Sequence, residues 1–286
     1  MTAKIGWWRA AVACTPCLPP EEPSMPLVFD HLVINNHFAL EATRDLFAAL
    51  GFTLTPESHH SLGSMNQLVM FNGHYLELIG LPRHGERIRQ ELLDSPRGID
   101  GVVFRSTDAA ATARQLREQG FTVQPVQHFS REVAADGERG EARFSTVRLA
   151  AGSFAAGRVY FCQHHTPEWV WRAPWLSHAN GVAGIEALTV VSQNVEQEAQ
   201  AWQQLGAPDP AFQLQLLTPS AWRDDSAGLV SVDESRPSQF TAIHFRGGNA
   251  SMLIQAARNA GLPLHQRPGR LLIAMPAIHT LLEFRL

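Results

Sequence analysis

Four stretches of the chain share one plan, and that plan decides the fold. They are LVFDHLVIN (27–35) with ALEATRDLFAALGF (39–52), GIDGVVFRS (98–106) with DAAATARQLREQGF (108–121), VAGIEALTVVS (182–192) with NVEQEAQAWQQLGA (194–207), and QFTAIHFRG (239–247) with NASMLIQAARNAGL (249–262). Each is a β-rich run, a polar break, a helix-patterned segment, then glycine followed by an apolar residue. From mid-strand to glycine the spacing is 20 residues for His31 to Gly51, 19 for Gly101 to Gly120, 20 for Glu186 to Gly206 and 19 for Ala242 to Gly261. A register this constant over four tandem copies marks duplication. Each glycine stands where a helix ends in a left-handed residue, which only glycine adopts without a Cβ penalty. Asp108, Asn194 and Asn249 stand near the helix starts as N-caps.

The segments after the helices are also β-like. The first unit continues with FTLTP, MNQLVMF and HYLELIG, the second with FTVQPV, ARFSTVRLA and RVYFCQHH, and the fourth with LPLHQ, GRLLIAMP and HTLLEFRL. Asn72-Gly73 is the dipeptide of a tight hairpin. The third unit is shortened to FQLQLL and LVSV. The expected class is therefore α+β, with tandem βαβββ modules paired into curved mixed sheets, four modules in all and the third one shortened. Such a module covers one sheet face with its helix, and two side by side form a cup. This gives a domain over 25–164 (modules 1 and 2), a Trp-rich linker over 165–181, and a second, more divergent domain over 182–286 (modules 3 and 4). Trp169, Trp171 and Trp175 pack the linker onto a domain, or stack on a ligand. Residues 1–24 read as a disordered leader or an over-extended start ahead of Met25.

Composition removes several chemistries. The 23 basic residues are 22 Arg and one lysine, Lys4. Schiff-base and pyridoxal phosphate chemistry need a pocket lysine, and a Walker A loop needs one after its glycines. Thirteen histidines leave imidazole and carboxylate as the reactive groups. A net charge of -4 with dispersed arginines gives no nucleic-acid footprint. The apolar runs fall short of the ~20 residues of a membrane span. Prolines 16, 19 and 20 speak against a redox role for Cys14 and Cys17, and Cys162 alone cannot complete a zinc site with them. Three cysteines build no disulfide framework, so a reducing cytoplasm is expected.

Strand alternation puts Phe29, His31 and Val33 on one face of the first strand, with Leu32 and Ile34 on the other, beneath the helix. Glu77, between Leu76 and Leu78, faces away from the core in the last strand of that unit. Burying a histidine and a carboxylate in apolar strands is costly unless something binds them. A divalent metal would.

With the opening FDHLVI and the closing YLELIG, the tandem βαβββ plan resembles the vicinal oxygen chelate superfamily, and within it the glyoxalase-like domain proteins. The likeness covers Leu27 to about His164 well and 182–286 more weakly. It implies paired modules cupping a divalent metal, with His31 as first-strand and Glu77 as last-strand ligand. Gly101 stands where the second unit should supply its first-strand ligand. On its last strand two alignments are open: one sets Cys162 opposite Glu77, the other Gln163. Adding His164 would give two histidines and a carboxylate, as in non-haem iron oxygenases, whereas Gln163 would resemble metal-dependent isomerases. The resemblance also implies substrate contacts for His59, His60 and Asn66 in ESHHSLGSMN. Arg143 is a candidate carboxylate binder, and Glu186, His244 and Glu283 are candidates for a second site.

The leading expectation is a metal-dependent enzyme acting on a small molecule with vicinal oxygens, by isomerase, lyase or ring-cleaving dioxygenase chemistry. Glu77 would be ligand or catalytic base, and the metal Fe, Mn, Ni or Zn. The alternative is a metal-free small-molecule binding or sequestration protein of the bleomycin-resistance type. The expected partner is a small-molecule substrate, with no nucleic acid and no membrane, and a homodimer is admitted.

Overall fold

A computed structural model of the chain describes residues 25–84, 88–135 and 137–286. Residues 1–24, with Cys14 and Cys17, lie outside them. The first unit contains β1 (Pro26–Leu27), β2 (Phe29–Asn35), α1 (Leu40–Ala49), β3 (Ser58–His59), β4 (Met65–Met70) and β5 (Tyr75–Gly80). A short helix, α2 (Gln90–Asp94), leads to the second: β6 (Gly98–Arg105), α3 (Ala109–Glu118), β7 (Gln127–Ala135), β8 (Glu138–Arg148) and β9 (Arg158–His164). The third has β10 (Val182–Ser192), α4 (Val195–Leu205), β11 (Ala207–Pro208), β12 (Gln213–Leu217) and an added helix, α5 (Pro219–Asp225). The fourth has β13 (Ser238–Gly247), α6 (Ala250–Asn259), β14 (Leu264–Arg267), β15 (Arg270–Met275) and β16 (Thr280–Arg285).

Units one and two build one eight-stranded sheet, β3-β4-β5-β2-β6-β9-β8-β7, and units three and four a six-stranded sheet, β12-β10-β13-β16-β15-β14. The larger sheet curls until its edges meet, where His60 bridges Arg131 and the Ser61 amide donates to Ser130 O at 3.0 Å. The short β1 pairs with β11 and so ties the first unit to the third. Leu32, Ile34, Phe47 and Leu116 of the first half share one buried core with Leu188, Trp202, Phe245 and Leu253 of the second. Each cup keeps a separate apolar cluster of its own. Among the described residues no helix is long and apolar enough to cross a membrane.

Local rules explain most elements. Asp108, Asn194 and Asn249 accept from Ala111 N, Gln197 N and Met252 N at 2.9, 3.1 and 3.0 Å, capping α3, α4 and α6. Gly51, Gly120 and Gly261 are left-handed, as their helix ends require. Gly206 is different: its backbone is extended, and a Cβ would lie 2.2 Å from Met25 O, so it permits close passage of β1 instead. FTLTP forms no strand, the two-residue β3 coming after it, FTVQPV contributes only a bridge from Val123 to Leu149, and LVSV none. The second strand of the second unit is instead β7. Its charged sequence hides an inward alternation of Arg131 and Val133, matched on β8 by Ala142 and Phe144.

Candidate active site

The cup of the larger sheet holds the chemistry. In β2, Leu32 and Ile34 enter the helix-side core while Val33 faces the cup. A bulge between Phe29 and His31 interrupts strict alternation. Phe29 consequently does not share the face of His31. It packs on the helix side, stacked on Phe212 at 3.8 Å between centroids. The same bulge brings the wholly buried Asp30 carboxylate beside two imidazoles, 3.4 Å from His31 Nδ1 and 2.6 Å from His164 Nε2. Burial alone would raise the Asp30 carboxyl, but His164 and His31 hold it well below the usual carboxylate range. His31, gripped at Nδ1 and stacked on Tyr75 at 4.2 Å, turns Nε2 toward Glu77 Oε2 at 3.9 Å.

Glu77 is buried in β5, and its Oε1 accepts from Asn66 Nδ2 at 2.7 Å. The same oxygen lies 3.8 Å from His60 Nε2, so the carboxylate stands between two imidazoles. His60 Nδ1 is fixed by Ser64 Oγ at 2.9 Å, and Arg89 donates to that hydroxyl at 3.0 Å. Burial would raise the Glu77 carboxyl, yet His60, His31 and the Asn66 bond keep it below the ordinary range. Burial pushes His60 down to about 4; Glu77 opposes the shift, and Arg131, Arg89 and Arg148 reinforce it. At neutral pH the cup therefore holds an ionised carboxylate beside a neutral imidazole. Tyr75 and Tyr160 line the same space, and burial raises both phenols far above their usual value, so each keeps its proton.

The second unit supplies different groups. Strands β2 and β5 pair His31 with Tyr75 and Val33 with Glu77, whereas β6 and β9 pair Gly101 with Arg158 and Val103 with Tyr160. Tyr160, rather than Cys162 or Gln163, thus occupies the place of Glu77, correcting both sequence alignments. A Cβ on Gly101 would sit 3.4 Å from the Tyr160 ring, which fills the space of the missing ligand. Gln163 points to the other face, accepting from Ala109 N at 3.0 Å at the start of α3. His164 is on the cup side but is bound to Asp30. Donor atoms of Asp30, Cys162 and His164 lie within 4.8 Å of one another, a second place where an ion could be held. Burial pushes the Cys162 thiol well up, so it is protonated as it stands.

Other sequence candidates scatter. His59 is exposed, 3.4 Å from Glu57, and Arg143 points outward from β8. On the strands β7 and β8 it is Arg131, not Arg143, that faces the cup, in line with the Phe129, Arg131, Val133 alternation of β7. In the second cup Glu283 accepts from Arg270 Nε at 2.9 Å and lies 3.2 Å from His244 Nδ1, while His244 Nε2 is 2.6 Å from Thr189 Oγ1. Glu186 pairs with Arg285 at 2.8 Å, and Arg285 Nε in turn donates to Glu283 at 3.3 Å. Trp222 of α5 fills the apolar part of that cup, so these groups form a structural network rather than an open site.

The first cup is nearly closed. The turns Pro167–Trp169 and Ala173–Trp175 lay the linker against its apolar cluster, with Trp171 4.8 Å from the His164 ring. The cavity left between these walls is small, about 30 Å³. Glu77 is ionised and His60 neutral, as metal ligation requires, and Asp30 and Ser64 orient the His31 and His60 rings as outer partners of metal-binding histidines do. Among the described residues only Asp30, Cys162 and His164 bring three donor atoms within 4.8 Å of one another, so an ion between His31, His60 and Glu77 would require the two imidazoles to turn further toward the carboxylate.

A family model described as "Glyoxalase-like domain" matches residues 29–206. No curated protein matches the sequence. Among solved structures, a hypothetical protein from Staphylococcus aureus superposes with a TM-score of 0.62 at 13% identity, covering 90% of this chain and 98% of that one. A mutant 4-hydroxymandelate synthase from Streptomyces coelicolor gives 0.56 at 9%, covering 91% and 92%. A xylose isomerase-like TIM barrel/4-hydroxyphenylpyruvate dioxygenase fusion protein gives 0.54 at 13%, covering 94% of this chain and 51% of its own. Identities this low speak to the fold alone, which is that of the vicinal oxygen chelate proteins.

Proposed function

Because the chain belongs to the glyoxalase-like domain family, we propose that its first cup is the centre of a metal-dependent enzyme acting on a small molecule with two adjacent oxygens, by proton transfer of the isomerase or lyase type. One observation carries this reading: the Glu77 carboxylate stands between His31 Nε2 and His60 Nε2 at 3.9 and 3.8 Å. His31, Glu77 and His60 would hold the ion. When bound, it would supply Lewis-acid stabilisation of an oxyanion developing on the substrate. Glu77 is ionised and can accept a proton from a carbon beside that oxygen, while Asn66 fixes its other oxygen. Tyr75 and Tyr160 are protonated and can donate hydrogen bonds to the oxyanion. Closure of the cup by the linker tryptophans keeps bulk water from these groups.

Protein purified without chelator is expected to carry about one equivalent of divalent metal per chain, and both His31→Ala and Glu77→Gln should lose it. A second reading, a metal-free binding protein, is favoured by Gly101 and Tyr160 standing where the second unit would supply ligands. Metal-free wild-type protein, with both variants retaining small-molecule affinity, would establish that reading and remove the first.

A further inference from the structure

Four arginines line the first cup: Arg89, Arg131, Arg148 and Arg158. Three have carboxylate partners. Arg89 pairs with Glu91 at 2.8 Å, Arg148 reaches the same Glu91 oxygen at 3.5 Å, and Arg158 Nε donates to Asp100 at 2.8 Å. Arg131 has none: among the described residues no carboxylate lies in ion-pairing range of it, although the residue is only 3% exposed. Its Nη1 donates to Ser58 Oγ at 3.1 Å, and its buried Nη2 has no hydrogen-bond partner. A guanidinium does not shed its proton at physiological pH, so this is a buried positive charge with an open donor. A buried unpaired charge is expensive, and proteins keep one where a ligand supplies the partner.

We propose that Arg131 is the counter-ion of a carboxylate on the molecule the first cup binds. The position suits this role. Arg131 is the bridge partner of His60 across the barrel seam, so an anion on Nη2 would be held on the wall that carries His60. Both residues line the cavity that Glu77 faces. Four guanidiniums stand against three carboxylates, Glu91, Asp100 and Glu77, so one positive charge is left over, which matches a monoanion rather than a phosphate dianion. The proposal rests on the first cup being the active site, but not on a metal being bound there.

The test is calorimetric titration of chelator-treated, full-length protein with glycolate, its uncharged isostere glycolamide, and inorganic phosphate. Glycolate should bind saturably and at least about tenfold tighter than glycolamide, since removing a charge partner from a buried site has an effect of this size or larger. Arg131→Gln should weaken glycolate at least about tenfold and leave glycolamide little changed, and Arg143→Gln on the outer face should change neither. Arg131→Lys keeps the charge but not the fork, and should retain a preference for glycolate over glycolamide even if the glutamine variant fails to fold. Absence of saturable glycolate binding, equal binding of glycolate and glycolamide, unchanged binding in Arg131→Gln, or tighter binding of phosphate would each overturn the proposal. Glycolate binding in a protein that never retains metal would sink the metal reading alone. Metal retention without glycolate binding would sink the carboxylate site alone.

Discussion

In a Glu283→Ala variant, folding stability should fall by about 3–5 kcal/mol, the usual effect of removing one partner from a buried charge network. Glu283 is 1% exposed and sits beneath α5 in the second cup. Its carboxylate accepts from Arg270, which also donates two 3.1 Å bonds to Asp225, and His244 lies 3.2 Å away. The truncation leaves His244 buried and costs Arg270 one of its two carboxylates. Urea unfolding measures the loss, and a change below about 1 kcal/mol would mean that the network is neutral in balance. Burial alone would raise the Glu283 carboxyl, but His244 and Arg270 override it and hold it far below its ordinary value. A depressed folded pKa gives stability that is fully present above the unfolded value of about 4.3 and is lost as pH falls below it. Wild-type stability should therefore drop on acidification through that range, and the variant's should drop less.

Asp30→Ala should act on both stability and metal affinity. It removes a wholly buried carboxylate that ties His31 to His164 and leaves two imidazoles without their acceptor. The expected loss of stability is again about 3–5 kcal/mol. If His31 holds an ion through Nε2, freeing Nδ1 should also weaken metal binding by about 10–100-fold, the range found for outer partners of ligating histidines. Asp30→Asn preserves shape and separates the two effects: it should fold better than the alanine variant and still bind metal less well. Unchanged metal affinity in Asp30→Asn would detach Asp30 from the site.

The modular architecture was legible because a repeated glycine register and cap residues are local signals. His31 and Glu77 could be singled out as polar residues in apolar strands, and they do meet in the cup. What escaped depended on irregularity or on long-range closure. The bulge at Asp30 breaks the period of two on which face assignment rests, so Phe29 was misplaced and Asp30 overlooked. Strand β7 carries its apolar residues only at alternate positions within a charged run, which concealed Arg131 and made the outward-facing Arg143 the more visible arginine. The place of Tyr160 opposite Val103 follows from strand register, which no motif in RVYFCQHH encodes. His60 reaches Glu77 because its loop folds back onto β4, where Ser64 and Asn66 hold the ring, a placement that the run ESHHSLGSMN does not announce.

The most direct measurement of the central claim is a crystal structure of the protein grown with Mn²⁺, using anomalous scattering to locate the ion. One ion per chain is expected in the first cup, bound by His31 Nε2 and a Glu77 oxygen at ligand distances of about 2.0–2.2 Å, with His60 turned toward it. An ion held instead by Asp30, Cys162 and His164, or no ion in the first cup at all, would contradict it.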